Sequence, residues 1–359
     1  MAKRTLGKFF YGLLVLWGVV TLVFFLFNVL PGDPARMMLG QRADMQTVEM
    51  IRKELGLDRK MGLQYARYLN DLSPLSIHNN ADPAHYFYFD TQRYPQATQL
   101  IRGSRHSLVL KPPYLGMSYQ NRRTVTSMIG DVLPTTFLLA LTSIAFAFVI
   151  GLFTGILCAI WKDSLFDRVA LVISTIGVSL PSFFTAILFG WFFAFVLADV
   201  THLNLTGNIY EIDDMGNGRV LQLKNLLLPA LTLGIRPLSI IIQLSRNAML
   251  DVLGQDYIRT ARAKGLRFSR IIFRHAMRNS MNPIVTAVSG WFASLMAGVV
   301  FVEYIFGWKG LGYLIVNALN QYDMPVVLGA VITIASIFVV VNILVDISYS
   351  ILDPRVRQL

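Results

Sequence analysis

The chain has 359 residues, of which 54% are hydrophobic and only 15% charged. Soluble globular chains carry about 25% charged and roughly 45–50% apolar residues, so an ordinary soluble enzyme, a disordered chain and a collagen-like fibre are all excluded. The single cysteine, Cys158, rules out a disulfide scaffold, and the net charge of +11 lies between apolar runs, where it reads as membrane-flanking charge and not as a nucleic-acid footprint.

A helix needs about 20 mostly apolar residues to cross a hydrocarbon layer of roughly 30 Å. Six runs qualify: Phe9–Leu30, Pro134–Ile160, Val169–Leu197, Leu226–Leu244, Pro283–Val302 and Val326–Leu352. The first follows Lys3, Arg4 and Lys8 and ends in Asn28-Val29-Leu30-Pro31-Gly32-Asp33-Pro34. It is longer than the apolar region of a signal peptide and lacks a small-residue cleavage site, so it reads as an uncleaved anchor.

Residues 31–133 are then the one sizeable segment outside the bilayer. Met45, Val48, Ile51 and Leu55 recur at helical spacing, with Asp44 as N-cap and Gly56 as stop. Ser73–Pro113 is rich in Pro, Asn, His and Tyr without periodicity; within it, Tyr86-Phe87-Tyr88-Phe89 reads as a short strand or an aromatic lid. With no disulfide available, this segment is expected to fold against the outer helix ends.

Pro181 is expected to kink the third run, near Ser174, Thr175, Ser179 and Ser182, hydroxyls that suit either a polar path or ordinary helix packing. Arg236 stands near the middle of the fourth run, where an isolated charge costs at least about 2.5–3.5 kcal/mol. It is expected to face protein or a water-filled cavity, either lining a path or snorkelling or pairing within the bundle. Asp346 lies close to the inner end of the last run, which fits interfacial exposure.

Basic residues set the orientation. With the N-terminus inside, the inner segments 1–8, 161–168, 245–282 and 353–359 hold 3, 2, 8 and 2 Lys+Arg, fifteen in all. The short outer loops 198–225 and 303–325 hold 2 and 1. The 13 in residues 31–133 count for little, because long loops translocate largely regardless of charge. Both termini are therefore placed in the cytoplasm.

Among the inner segments, Ser245–Asn282 is long enough for two helices. Asp256-Tyr257-Ile258-Arg259-Thr260-Ala261-Arg262-Ala263-Lys264-Gly265 carries acid at its start, Lys264 in its last turn and Gly265 at the left-handed C-terminal position. After it, Arg270, Arg274 and Arg278 repeat every four residues, with Phe268, Ile272 and Ala276 as an apolar stripe. Two readings fit: a basic face on anionic lipid, or a docking element for a cytoplasmic partner.

The stretch Asp256–Leu266, followed by His275-Ala276-Met277-Arg278-Asn279 and Pro283, resembles the cytoplasmic loop of binding-protein-dependent ABC permeases, dipeptide/oligopeptide/nickel class, B-type subunit. The general signature of these permeases is Glu-Ala-Ala, three residues, Gly, nine residues, then Ile-x-Leu-Pro. Ala261 and Gly265 match it, while Arg259-Thr260 replace Glu-Ala, and His275 and Met277-Arg278 replace Ile and Leu-Pro. Further matches are Leu30–Pro34, Glu54–Asp58, Leu115–Tyr119, Leu133–Thr136, Ser179–Phe183, Glu303–Phe306, Gly310–Gly312, Tyr322–Val327, Asn342–Asp346 and Leu352–Arg357. The likeness covers most of 1–72 and 114–359; residues about 73–113 look like an insertion.

What the resemblance implies is an all-α polytopic protein with six transmembrane helices of the type I ABC importer permease kind and an extracytoplasmic insert after the first. Its parts are residues 1–30 (cytoplasmic end and first helix), 31–133 (extracytoplasmic) and 134–359 (a five-helix core containing the coupling loop 245–282). It implies ATP-driven import of dipeptides or oligopeptides by alternating access across the bacterial plasma membrane. Implied partners are a second, homologous permease chain, two cytoplasmic ATPases, an extracytoplasmic binding protein and the bilayer, with no nucleic acid. Tyr257, Arg259, Thr260, Ala261, Arg262, Lys264 and Gly265 become the coupling residues, and Arg236, Ser179 and Ser182 the path-lining ones, with Arg236 meeting a peptide carboxylate. No phosphate loop is present, Gly307–Gly312 reads as a turn, and no Ser/His/Asp or metal-ligand set converges. The chain is therefore expected to be no enzyme and to hold no cofactor or metal, with ATP bound by partner subunits. The rival readings are a proton-coupled secondary transporter, which wants midplane carboxylates and inverted repeats, and import of nickel or another small solute by the same fold.

Overall fold

The computed structural model describes residues 2–29, 44–83, 85–212, 218–298 and 300–352. The Leu30–Pro34 closure of the first run and the Asp353–Arg357 tail lie outside them. Long, largely apolar helices form at Val125–Ile160, Lys224–Leu253 and Met324–Leu352. The first run lies on the helix Ala2–Val29 and the fifth on Met277–Gly298 and Val300–Ile305. By length and composition, three of the described helices can cross a membrane, or four when one bent pair counts as a single span.

That bent pair corrects the reading of the third run. Leu165–Ser179 and Ser182–Val196 meet at 112°, which is a break and not a kink. Leu180 and Pro181 are both extended, with ψ of 132° and 138°. The proline ring disfavours helical geometry at the residue before it, so two successive residues leave the helix.

The chain divides into two units. The first comprises residues 1–16, 132–316 and 334–359. One apolar cluster gathers Leu139, Leu228, Met296, Phe306 and Trp308. A second gathers Ile156, Ile241, Met249, Ile258, Ile271, Ile272 and Ile284. Within this unit the buried Glu303 carboxylate accepts Thr136 Oγ1 at 2.7 Å and the backbone N–H groups of Gly312 and Tyr313 at 2.7 and 3.1 Å. It thereby holds the start of the Leu311–Asn320 helix, and the Gly307–Gly312 turn is built around it.

The second unit comprises residues 17–131 and 317–333. Its Met45–Leu55 helix starts at Asp44 and ends at Gly56 with φ +70°, as the spacing implies, although the Asp44 carboxylate makes no capping bond. The helix Met61–Leu72 meets the first helix through Thr21 Oγ1 and Tyr65 OH (2.6 Å) and through the Phe24, Tyr65 and Tyr68 rings. Asp323, 1% exposed, accepts the Ser118 hydroxyl and, at 3.0 Å, the Tyr119 N–H.

An all-α fold also needs correcting. Strands β1 (Leu75–Asn79), β2 (Thr98–Arg102) and β3 (His106–Leu110) form an antiparallel sheet in the order β1-β3-β2, and β4 (Tyr210–Ile212) pairs with β5 (Arg219–Leu221). Tyr86–Phe89 is not a strand; Tyr88 makes a single bridge to Asn79, and the Phe89 ring lies against His78 and Tyr94. Behind the sheet the buried Asp71 carboxylate accepts Tyr94 OH at 2.5 Å and Arg93 Nη2 at 2.7 Å. Lys111 Nζ donates to the Asp71 and Ser73 carbonyls at 2.5 and 3.2 Å, and burial pushes its pKa down to about 8.

Candidate functional site

The Lys224–Leu253 helix passes through Gly254 and Gln255 into the short helix Asp256–Ala263. Eight residues form no stable helix in isolation, so both its ends and its seat need accounting for. At the C-terminus Gly265 takes φ +73°. Gly265 N–H donates to Arg262 O at 2.9 Å and Leu266 N–H to Ala261 O at 3.3 Å, which is the paired closure of a left-handed helix cap. The seat is Ile258 and Ala261, buried among Ile156, Ala159, Met249 and Ile272.

The other faces of the helix are open. Tyr257, Arg259, Thr260, Arg262, Lys264 and Gly265 are exposed, with Tyr257 OH accepting Asn279 Nδ2 at 2.7 Å. The sequence residues assigned to coupling therefore divide cleanly: Ala261 anchors, Gly265 ends the helix, and the rest face outward. Arg259 lies 3.6 Å from Asp256, but both are largely in solvent, where such a pair fixes little.

The return path departs from the sequence pattern. Residues Ile271–Ala276 form a π-turn between Phe268–Arg270 and Met277–Gly298. Because a π-turn bonds i to i+5, the apolar face shifts: Ile271, Ile272 and Ala276 are buried, whereas Phe268 is exposed. Arg270, Arg274 and Arg278 remain outward. Arg259, Arg262, Lys264 and Arg267 are exposed as well, so seven basic side chains of this segment face outward.

Arg236 faces out from the Lys224–Leu253 helix and has no ion-pair partner among the described residues. Ser179 is exposed, its hydroxyl donating to Thr175 O at 2.9 Å, and Ser182 is half-buried. No hydrogen bond joins these three, so each is accessible without forming a shared site. Sequence reasoning missed the roles of Glu303, Asp323 and the Asp167–Arg246 pair; the only signal for the first two was an acid next to glycine- or proline-containing motifs.

Helices long and apolar enough to cross a membrane define an integral membrane protein, and comparison with known proteins gives its class. The chain belongs to the family described as "Binding-protein-dependent transport system inner membrane component", matched over residues 151–358, and its N-terminal companion family matches residues 1–83. It is thus a permease of a binding-protein-dependent transport system, not an enzyme, and this favours the ABC importer over the proton-coupled rival.

Among its relatives, the dipeptide transport system permease protein DppB of Alkalihalophilus pseudofirmus is 30% identical over 96% of each chain. DppB of Escherichia coli K12 is 31% identical over 95% of this chain and 94% of its own. The glutathione transport system permease protein GsiC of Pectobacterium atrosepticum is 31% identical over 94% of each. Among solved structures, a chain in an inward-facing form of the MetNI methionine ABC transporter is similar with a TM-score of 0.49 and 15% identity, over 64% of this chain and 97% of that one.

Proposed function

We propose that this permease imports short peptides, using ATP hydrolysed by separate cytoplasmic subunits that dock on the Asp256–Ala263 helix. The observation that carries the reading is the helix itself: it is seated by Ile258 and Ala261, closed at Gly265, and presents Tyr257, Arg259, Thr260, Arg262 and Lys264 outward. A rigid, solvent-facing element tied to a long apolar helix can pass a push into the bilayer and bias two packings of the spans. The relatives named for dipeptide and glutathione transport support peptides as the substrate class.

Six spans follow from the six apolar runs, and the distribution of basic residues then puts both termini in the cytoplasm and 245–282 on the ATPase side. In this arrangement 31–133 is extracytoplasmic, with about 73–113 as an insert, and 134–359 is the permease core. Only 22% of the apolar window in the Met324–Val345 stretch is buried within the chain, against 61% in Lys224–Leu253. The former therefore has surface left for lipid or for a second, homologous permease chain. Arg236, unpaired and outward, is a path-lining residue that meets the peptide carboxylate, with Ser179 and Ser182 as polar neighbours of the path. The extracytoplasmic binding protein delivers substrate, and ATP binds the partner subunits.

Copurification tests the docking. Wild-type permease solubilised after co-expression with ATPase subunits retains them, whereas Arg259→Glu combined with Arg262→Glu, at equal membrane level, loses them. Retention of the ATPases by that variant overturns the proposal.

A further inference from the structure

Arg246 is the basic residue of segment 245–282 that does not join the exposed surface. It lies on the Lys224–Leu253 helix, ten residues before Asp256, or about 15 Å at 1.5 Å per residue. Its Nε and Nη2 straddle the Asp167 carboxylate at 2.6 and 2.7 Å. Asp167 is 1% exposed and belongs to the first turn of the Leu165–Ser179 helix.

The short 161–168 segment is folded around this carboxylate. Asp163, with φ +62°, donates its N–H to Asp167 Oδ2 at 2.9 Å, and Ser164 Oγ accepts the Asp167 N–H at 3.2 Å. A planar guanidinium forked on two carboxylate oxygens fixes rotation as well as distance.

Elsewhere, the Val125–Ile160 and Leu165–Ser179 helices meet Lys224–Leu253 closely at glycines. A Cβ added at Gly155 would stand 2.5 Å from Ser245 Cβ and 2.6 Å from Ile242 O, and one at Gly177 would run into Ser239 Oγ. The hydroxyls of Ser174 and Ser245 make no hydrogen bond. Among the described residues, the Asp167–Arg246 fork is the sole side-chain bond between Leu165–Ser179 and Lys224–Leu253. Close glycine contact without directional bonds lets helices slide; the fork prevents it at one end.

We infer that Asp167 and Arg246 are positioning residues that make the Leu165–Ser179 helix follow the Lys224–Leu253 helix when the ATPases move the docking helix. The inference rests on the docking role proposed above. A helix that follows at its inner end also carries the broken element beyond Pro181, which sits at a 112° bend and turns with it. Without the fork, hydrolysis would move Lys224–Leu253 while Leu165–Ser179 lags.

The test uses the complete transporter in proteoliposomes and reads peptide imported per ATP hydrolysed. Arg246→Lys keeps the charge but loses the fork; Asp167→Asn keeps the shape but loses the charge. Both are expected to retain their ATPases and to hydrolyse ATP, with import per ATP down at least about fivefold, the lower end of typical coupling between sites. An unchanged ratio in Arg246→Lys overturns the inference, as does a fall that merely tracks loss of bound ATPase. If Asp167→Asn does not accumulate, Arg246→Lys alone decides. Failure of the docking proposal is seen separately, as ATPases retained by the Arg259→Glu, Arg262→Glu variant.

Discussion

Gly265 is where a small change should separate ATP hydrolysis from transport. Its φ of +73° is one that L-residues resist, yet nothing lies within 4 Å of where a Cβ would stand. Substitution therefore meets backbone strain and no clash. A valine in left-handed geometry costs at least ~1–2 kcal/mol, and weakening the two capping bonds to Arg262 and Ala261 removes ~1 kcal/mol more. Opposing this is the seat of the helix, where the fully buried Ile258 contributes ~1.5–3 kcal/mol. The two are of similar size, so Gly265→Val should leave the helix seated only about half the time, whereas the wild-type helix is held firmly; a 2 kcal/mol shift changes the ratio about 30-fold. Gly265→Asn is the control, since asparagine enters this conformation readily. In proteoliposomes, Gly265→Val is expected to reduce peptide imported per ATP about twofold, as the seated fraction falls to roughly one half, with Gly265→Asn near wild type. Equal behaviour of the two variants, or full coupling by Gly265→Val at matched membrane level, would refute the strain argument.

Asp323→Asn leaves one oxygen to serve Ser118 and Tyr119 and forfeits charge-assisted bonds worth about 1.5–3 kcal/mol each. Trypsin should then cut faster at the exposed Arg122 and Arg123; unchanged cleavage would show that the carboxylate does not hold this loop. The sheet of the second unit should respond to pH through Lys111, whose pKa burial lowers from 10.5 to about 8. Between those values the unfolded state binds more protons than the folded one, so stability rises as pH increases from about 8 towards 10. Subtilisin digestion across that range should show growing protection in the wild type relative to Lys111→Met, and parallel profiles would refute it.

Legibility followed the distance over which the structure is determined. Helix ends at Asp44, Gly56, Asp256 and Gly265 were readable because cap and helix are adjacent residues. Pro181 announced a disturbance, but its 112° angle depends on Leu180 also leaving the helix. Strand β1 was not legible for a different reason: its polar Ser76 and His78 point inward and its Leu75 and Ile77 outward, the inverse of the usual alternation. The inversion has a cause, because behind that sheet the charged cluster around Asp71, Arg93 and Lys111 lies together with the Phe89 and Tyr94 rings that pack on His78.

The acids were hardest to read. Glu303 reaches Thr136, 167 positions away, and Asp323 reaches Ser118, 205 positions away. Each looks in sequence like a single carboxylate beside an apolar run, which suggests an interfacial charge. What distinguishes them is that their partners include backbone N–H groups in turns, and at Glu303 the turn is kept open by glycine: a Cβ at Gly310 would strike the Glu303 carboxylate. The glycines of Gly310-Leu311-Gly312 are therefore spaces left for an acid placed by another segment. A glycine pair with no phosphate to cradle is a reason to look for the carboxylate that fills it.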